Sequence, residues 1–342
     1  MTLLMQADNK IQPLLTIAIP TFNRADFLDL CLTRIDEELE SLSEDQRKLV
    51  KIYVSNNAST DNTVEVLLRH QLKAVGELEV VNNTENIGGE RNVVQCYMSA
   101  KTPYVWVLGD DDVILERGLA TVLNVLRQQD VDILSVGCKA YVDAYDEKVK
   151  FVGSRIKDGI TVFSSAVPFT RRTNVNLTFI SSLIVRSGCC NPDICEVVRG
   201  SNLPQMCWVS SLLRNGKLFA TLDNLVIAAK ANNSGGFSLV QVFGTNLQEI
   251  TTLLFADRPL LAKIIQNGTI VNCFTGAILS LRNNQGNYTL ENDLAVSLKN
   301  LYGANWRYYI FLSPLIFLPL FAAKIYNIFL KVLRRALLSF LI

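Results

Sequence analysis

Over the first 115 residues the chain switches repeatedly between two hydrophobic periods. Short apolar runs at 14–19, 50–54, 78–81 and 104–108 read as strands, and each gives way to a polar turn. After the first run, Phe27, Leu28, Leu30, Cys31, Leu32 and Ile35 fall at mixed helical spacing, and residues 63–72 and 90–100 predict two further helices. Ser59 or Asp61 is positioned to cap the helix at 63–72. Strands and helices alternating at this spacing predict an α/β fold: a mixed, mainly parallel sheet with right-handed crossovers and helices on both faces. Downstream the pattern loosens. Residues 133–140, 179–185 and 218–228 read as strands, 202–215 as a helix ending at Gly216, and 241–282 and 290–301 as helices. The loop Asn232-Asn233-Ser234-Gly235-Gly236 marks the expected end of an α/β domain over 1–236, followed by a helical extension over 237–304 and an apolar, basic segment over 305–342. No internal repeat or low-complexity segment is present.

The fourth strand runs straight into Asp110, Asp111 and Asp112. Burying an unpaired carboxylate costs several kcal/mol, so three in a row face water, a cation, or a ligand carrying one. Mg²⁺ and Mn²⁺ are held by one or two carboxylates together with substrate phosphates, which makes these acids candidates for a metal–diphosphate site. The competing reading is a solvated acidic turn. Ligands of open parallel sheets, however, sit beyond the carboxyl ends of the strands. The turn at 21–24, the turn at 56–61 and the three acids all lie at such ends, and that convergence favours a site.

Basic and acidic residues nearly cancel, 33 against 32, so no global field points to nucleic acid as a partner. The average hides an asymmetry. After Asp293 there is no acid, while Lys299, Arg307, Lys324, Lys331, Arg334 and Arg335 are basic. Residues 308–323 carry no charge and are interrupted by Pro314 and Pro319; the run falls short of the roughly 20 residues of a free-standing span. Beyond it, Lys324, Asn327, Lys331, Arg334, Arg335 and Ser339 fall at steps of three and four among apolar neighbours. That stripe predicts a helix lying in the headgroup plane of an anionic membrane, with peripheral association at the cytoplasmic face. The alternatives are a C-terminal core helix with snorkelling lysines, or re-entrant insertion of 308–323. The eight cysteines are scattered, with Cys31, Cys96 and Cys273 inside apolar runs, and read as packed thiols of a reducing compartment. No CxxC pair or nearby histidine suggests zinc. The first dozen residues do not read as a secretory signal. His70, the sole histidine, reads as a surface helix residue.

Four motifs occur in a familiar order: Thr16-Ile17-Ala18-Ile19-Pro20-Thr21-Phe22-Asn23-Arg24, Ser55-Asn56-Asn57-Ala58-Ser59-Thr60-Asp61-Asn62-Thr63, Asn86-Ile87-Gly88-Gly89-Glu90-Arg91-Asn92 and Gly109-Asp110-Asp111-Asp112. Together they resemble glycosyltransferase family 2 of the GT-A fold. The Asn-Ala-Ser-Thr-Asp turn, the glycine before the acids, Phe179-Ile180-Ser181-Ser182 and the Asn-Asn-Ser-Gly-Gly loop look most like the dideoxyhexosyl transferases of O-antigen synthesis, such as abequosyltransferase. The resemblance implies that Pro20, Thr21, Phe22, Asn23 and Arg24, with Asn56 and Asn57, hold the donor's base and ribose. It implies that Arg91 orients the acids or meets phosphate, and that Asp111 and Asp112, with Asp110 beside them, hold Mn²⁺ or Mg²⁺ against the donor diphosphate.

Three positions depart from the family pattern. Asn56 stands where an acid usually meets uracil; an amide both donates and accepts, so a CDP-sugar is as readable as a UDP-sugar. Gly109 aligns with the family's usual first acid. Gln205 stands near the catalytic aspartate of inverting members and cannot take a proton. Asp193 or Glu196 substitutes as the base, or the enzyme retains anomeric configuration without one. The expected function is metal-dependent transfer of a sugar, with a dideoxyhexose as one option, to a polyprenyl-diphosphate-linked oligosaccharide in surface-polysaccharide (lipopolysaccharide) synthesis. Two other readings compete: a catalytically degenerate membrane scaffold, and a nucleotidyltransferase, which would want a Gly-rich phosphate loop with a lysine after the first strand.

Overall fold

Each of the first four apolar runs forms a strand, and their near-continuous hydrophobicity follows from burial on both faces. In the computed structural model, which describes residues 11–73, 75–141, 145, 159–231, 238–283 and 294–341, the chain divides into two compact units, 1–129 and 130–342. In the first unit β1 (Leu15–Thr21), β2 (Val50–Asn56), β3 (Glu77–Asn82) and β4 (Tyr104–Val107) run parallel in the order β3-β2-β1-β4. Every residue of β4 is buried, whereas the edge strand β3 has no buried residue. The helices α1 (Ala25–Glu40), α2 (Thr63–Lys73) and α3 (Gly89–Ser99) are the crossovers, and α4 (Gly118–Gln128) follows the acidic turn. α1 turns Leu28, Cys31, Leu32, Ile35 and Leu39 inward, which is the face its spacing predicts.

Register aligns the strand ends. Thr21 pairs with Asn56 and Asn56 with Asn82, so the turns that follow emerge along one edge. Helix termini are tied to this frame by side chains. The buried Glu38 carboxylate accepts the N–H groups of Arg117 (2.8 Å) and Leu119 (2.9 Å), satisfying orphan donors at the start of α4. Burial nevertheless pushes Glu38 above its ordinary value. His70 is not a surface residue. It is 3% exposed, with Nδ1 2.7 Å from Asp36 and Nε2 2.8 Å from Asp29, and so fastens α2 to α1. Its ring faces α1, which periodicity around a lone histidine does not reveal.

In the second unit β5 (Ile133–Tyr141) pairs parallel with β8 (Phe219–Lys230) and antiparallel with β7 (Leu183–Arg186), while β6 (Ile160–Phe163) pairs antiparallel with β8. The expected strand at 179–185 is shorter, because Asn174–Thr178 and Ile180–Ser182 are tight helical turns leading into β7. Helices α5 (Ala166–Thr173), α6 (Pro192–Val198) and α7 (Met206–Asn215) follow this order along the chain. α7 starts later than 202 because Asn202 adopts φ +59°. The long helix expected over 241–282 breaks at Arg258-Pro259 into α8 (Leu247–Leu254), then α9 (Pro259–Gly268) and α10 (Phe274–Arg282), since proline forbids the continuing N–H. The 232–236 loop lies outside the described residues. The final helices are α11 (Leu294–Tyr302) and α12 (Leu320–Leu341).

The expected divisions at 236 and 304 are not boundaries between compact units. Leu239, Ile270, Phe274, Leu298, Tyr308, Phe311, Leu315, Ala323 and Leu330 share one buried core. Polar anchors reinforce it. Arg282 donates to the carbonyls of Leu315 and Leu318, and Arg334 donates to Val271 O (3.0 Å) and Thr275 Oγ1 (2.9 Å). The stripe assigned to headgroups is therefore split. Asn327 is buried and Arg334 turns into the core, while Lys324 and Lys331 remain outside.

β5 shifts register against β8 on either side of Gly137, where a Cβ would stand 2.4 Å from Asn224 O. Backbone cannot yield as a flexible side chain can. Gly137→Ala is expected to lower unfolding free energy by about 1–3 kcal/mol, read as a lower urea midpoint at unchanged slope.

Candidate functional site

At the carboxyl edge of the first unit, the chain leaving β1 is stitched to the chain leaving β4. Thr21 Oγ1 donates to Asp110 Oδ2 at 2.7 Å, and Arg24 Nη1 donates to Asp110 Oδ1 at the same distance. The same guanidinium lies 3.4 Å from Asp111 Oδ2. Asp110 and Asp112 are buried, while Asp111 is partly open. Burial lifts the Asp110 carboxyl from 3.8 to about 6; Arg24 pulls it down, and the charge of Asp111 lifts it further. Asp110 is held by Thr21 and Arg24, Arg24 also pairs with Asp111, and the carboxylate oxygens of the turn are of the hard type a divalent ion takes. The donor set fits such an ion on electrostatic grounds too. Three adjacent carboxylates crowd around one guanidinium, and burial, with the Asp111 charge as a smaller cause, raises Asp110 against the pull of Arg24.

The β1 turn is also fixed to the β2 turn. Asn23, at φ +51°, donates its N–H to Ser59 Oγ (2.9 Å) and accepts Thr60 N–H (2.7 Å). Asp61 accepts the N–H groups of Ala25 and Thr63 and the Thr63 hydroxyl. Partial burial opposes its ionisation, but these donors outweigh it and hold Asp61 below the usual carboxylate value. Asn23, Arg24, Asp26, Phe27, Asp61 and Asn62 line an open cavity of about 340 Å³. Phe22 is exposed beside the same turn, and Arg24 stacks 5.6 Å from the Phe27 ring centre.

The asparagine turn is occupied differently from the role the resemblance gives it. Asn56, 2% exposed, accepts Ser59 N–H (3.1 Å) and donates to Asn82 Oδ1 (2.8 Å). Asn57 accepts from Asn83 and Ile87 and donates to Asn86. Asn92 and Ser55 bond each other twice, and Gln95 bridges Ser55 and Asn83. The amides thus hold the β2, β3 and α3 ends together rather than stand free for a base. The expected contact of Asn56 and Asn57 with a donor base would have to be made alongside these internal bonds. Asn82, Asn83, Asn92 and Gln95 went unassigned in the sequence, although the density of amides at strand ends is a visible signal. Arg91 is exposed and makes no ion pair among the described residues; Arg24, not Arg91, orients the acids. In the second unit Asp193 is exposed on the first turn of α6, Glu196 pairs with Arg199 (2.5 Å), and Gln205 Nε2 donates to Thr178 O (2.5 Å).

A family model, "Glycosyl transferase family 2", matches residues 16–183. The four motifs quoted from the sequence all lie within the matched residues. Among curated proteins, "Abequosyltransferase RfbV" of Salmonella typhimurium strain LT2 is 30% identical over 116 residues, 34% of this chain and 33% of that protein. The chain thus matches about a third of that relative's length. Among solved structures, Staphylococcus aureus TarS 1–349 superposes with a TM-score of 0.59 at 13% identity, covering 94% of this chain and 92% of the other. TarS 1–349 in complex with UDP-GlcNAc gives 0.58 at 15% identity over the same shares. At these identities the likeness concerns the fold, and it is the GT-A fold: a mainly parallel sheet flanked by helices, with C-terminal helices following.

Two outcomes follow from the geometry of this domain. Asn57→Ala strands the Ile87 N–H and takes one partner each from the Asn83 and Asn86 amides, and is expected to cost about 1–3 kcal/mol in denaturant unfolding. Because the folded Asp110 takes up a proton more readily than its unfolded form, its ionisation destabilises the fold as pH rises from about 3.8 to about 6. Asp110→Asn should flatten that part of the stability–pH curve.

Proposed function

We propose that the chain transfers a sugar from a nucleoside diphosphate donor to a hydroxyl of a lipid-linked oligosaccharide. The carrying observation is the Thr21–Asp110–Arg24 bridge with Asp111 beside it, at the strand-end edge of a family 2 domain. In the reaction the bond from the anomeric carbon to the diphosphate oxygen breaks, and a bond to the acceptor oxygen forms as its proton leaves. The cavity beside Asn23, Arg24 and Asp61 receives the nucleoside, with Phe22 as an exposed ring for stacking. Asp111 and Asp112 would hold Mn²⁺ or Mg²⁺, whose chemistry there is to offset negative charge on the departing diphosphate. Asp110 positions Arg24 and keeps the acidic turn against β1. Exposed Arg91 is available to donor phosphate. If the transfer inverts configuration, Asp193 is the base in preference to Glu196, because Glu196 already pairs with Arg199.

The donor class is supported by the UDP-GlcNAc complex of the structurally similar TarS, and the O-antigen setting by the resemblance to RfbV. CDP- and UDP-sugars both remain within the reading. The membrane side is supported by α12 and the segment before it. Phe317, Phe321, Ile325, Ile328, Phe329 and Val332 are each more than half exposed, with Lys324 and Lys331 exposed among them. An outward apolar stripe with flanking lysines suits peripheral docking on an anionic leaflet, at the cytoplasmic face where nucleotide sugars are made. The helical run Pro259–Arg282 is apolar and long enough to cross a bilayer, but 61% of its most apolar window is buried within the structure.

Melting shifts with UDP, CDP, GDP and dTDP, each with Mn²⁺, are expected to single out UDP or CDP. Asp111→Asn and Asp112→Asn should abolish the Mn²⁺-dependent part of that shift and lower turnover by at least 100-fold. A protein that responds to no nucleotide is the scaffold instead. Replacing Phe321, Ile325 and Ile328 with serine should release the protein from anionic vesicles in a sedimentation assay without changing its nucleotide response.

A further inference from the structure

Three of the eight cysteines converge in the second unit at a place the transfer chemistry does not use. Cys190 precedes α6, Cys195 lies within it, and Cys207 is on the first turn of α7. Their sulfurs all lie within 4.8 Å of one another, with Cys190 and Cys195 3.0 Å apart. The backbone is bent to achieve this. Asn191 caps α6 through Asp193 N–H, and the return between the helices passes through Gly200 at φ +78° and Asn202 at φ +59°. Cys190 also borders an open cavity of about 620 Å³ lined by Asp132, Cys189, Asn191, Ser211 and Arg214, which leaves room for a non-protein ligand.

We propose that Cys190, Cys195 and Cys207 bind one Zn²⁺ ion as thiolates, with water from the cavity in the fourth position. The donor set decides the ion: three sulfurs select a thiophilic metal and exclude Mg²⁺ or Mn²⁺. The distances fit. A tetrahedral ion with Zn–S of about 2.3 Å holds its thiolates about 3.8 Å apart, so Cys190 and Cys195 need separate by only about 0.8 Å. A Cys190–Cys195 disulfide would use two of the sulfurs and leave the third without reason to approach both. Adjacent-thiol and CxxC spacing conceal the site in the sequence, because the ligands come from x4 and x11 gaps. Bound metal would clip α6 to α7 and fix the 196–206 return that carries Gln205, which is a positioning role.

The test uses the full chain, purified under reducing conditions without added chelator. Elemental analysis should find one Zn²⁺ per chain in the wild type and in Cys138→Ser, and none in the Cys190→Ser/Cys195→Ser/Cys207→Ser triple variant. Replacing the metal with Co²⁺ should produce a thiolate-to-cobalt charge-transfer band that saturates at one equivalent. Chelation should then make three further thiols reactive toward an aromatic disulfide reagent. The cobalt titration needs only the wild type, so it decides the matter even if the triple variant fails to fold. No charge-transfer band with folded, reduced wild type overturns the proposal. So does a wild-type mass two hydrogens light, mapped to a Cys190–Cys195 disulfide that persists in place of bound metal.

Discussion

A single buried carboxylate ties the exits of β1 and β4 together. Asp110 lies at the exit of β4, and its two oxygens are taken by the Thr21 hydroxyl and the Arg24 guanidinium at the exit of β1. Removing a carboxylate from water costs several kcal/mol unless donors and an opposite charge meet it, and here both do. The bridge ties the acidic turn to the exit of β1, with Arg24 reaching Asp111 as well as Asp110. Burial outweighs the attraction of Arg24 and leaves Asp110 at about 6.

The strand–turn–helix rhythm of the first 115 residues was legible because it obeys local rules: buried parallel strands are apolar throughout, and the turns that close them are polar. β1, β2, β3 and β4 fall within a residue or two of the runs that predict them. The acidic turn was legible for the same reason, since charge at the end of an apolar strand has few places to go. What escaped was partner choice. Asn56 and Asn57 looked exposed by composition, yet their amides are consumed by Asn82, Asn83 and Asn86, residues 25 to 30 positions away that only register brings near. Arg24 and Arg91 are equivalent in sequence, and only the tertiary bridge distinguishes them. The three cysteines escaped because two helices and a left-handed return are needed to join them.

The C-terminal helix shows why periodicity alone misassigns a tail. Ala323, Asn327, Leu330 and Arg334 repeat at helical spacing and face the core, where Arg334 finds a carbonyl and a hydroxyl to receive its charge. A wheel drawn from sequence puts Asn327 and Arg334 with the lysines, because it sorts by polarity and not by available partner. The exposed face that remains is more apolar than the expected one. The outward face is mainly apolar, with Lys324 and Lys331 exposed among Phe321, Ile325, Ile328 and Phe329.

The distribution of charge around the strand ends has its own logic. The β2 and β3 ends are closed by neutral amides and hydroxyls: Ser55, Asn56, Asn57, Asn82, Asn83, Asn92 and Gln95 satisfy one another with no ionised member. A carboxylate at position 56, 2% exposed, would need a cation that this network does not contain. With amides there, the network itself carries no formal charge, which lies around it on groups such as Arg24, Asp26, Asp61, Arg91 and the three acids. The edge thus sets a charged cluster beside a neutral network whose amides bond one another, while Phe22, Asn23 and Asn62 stay open to solvent at its rim.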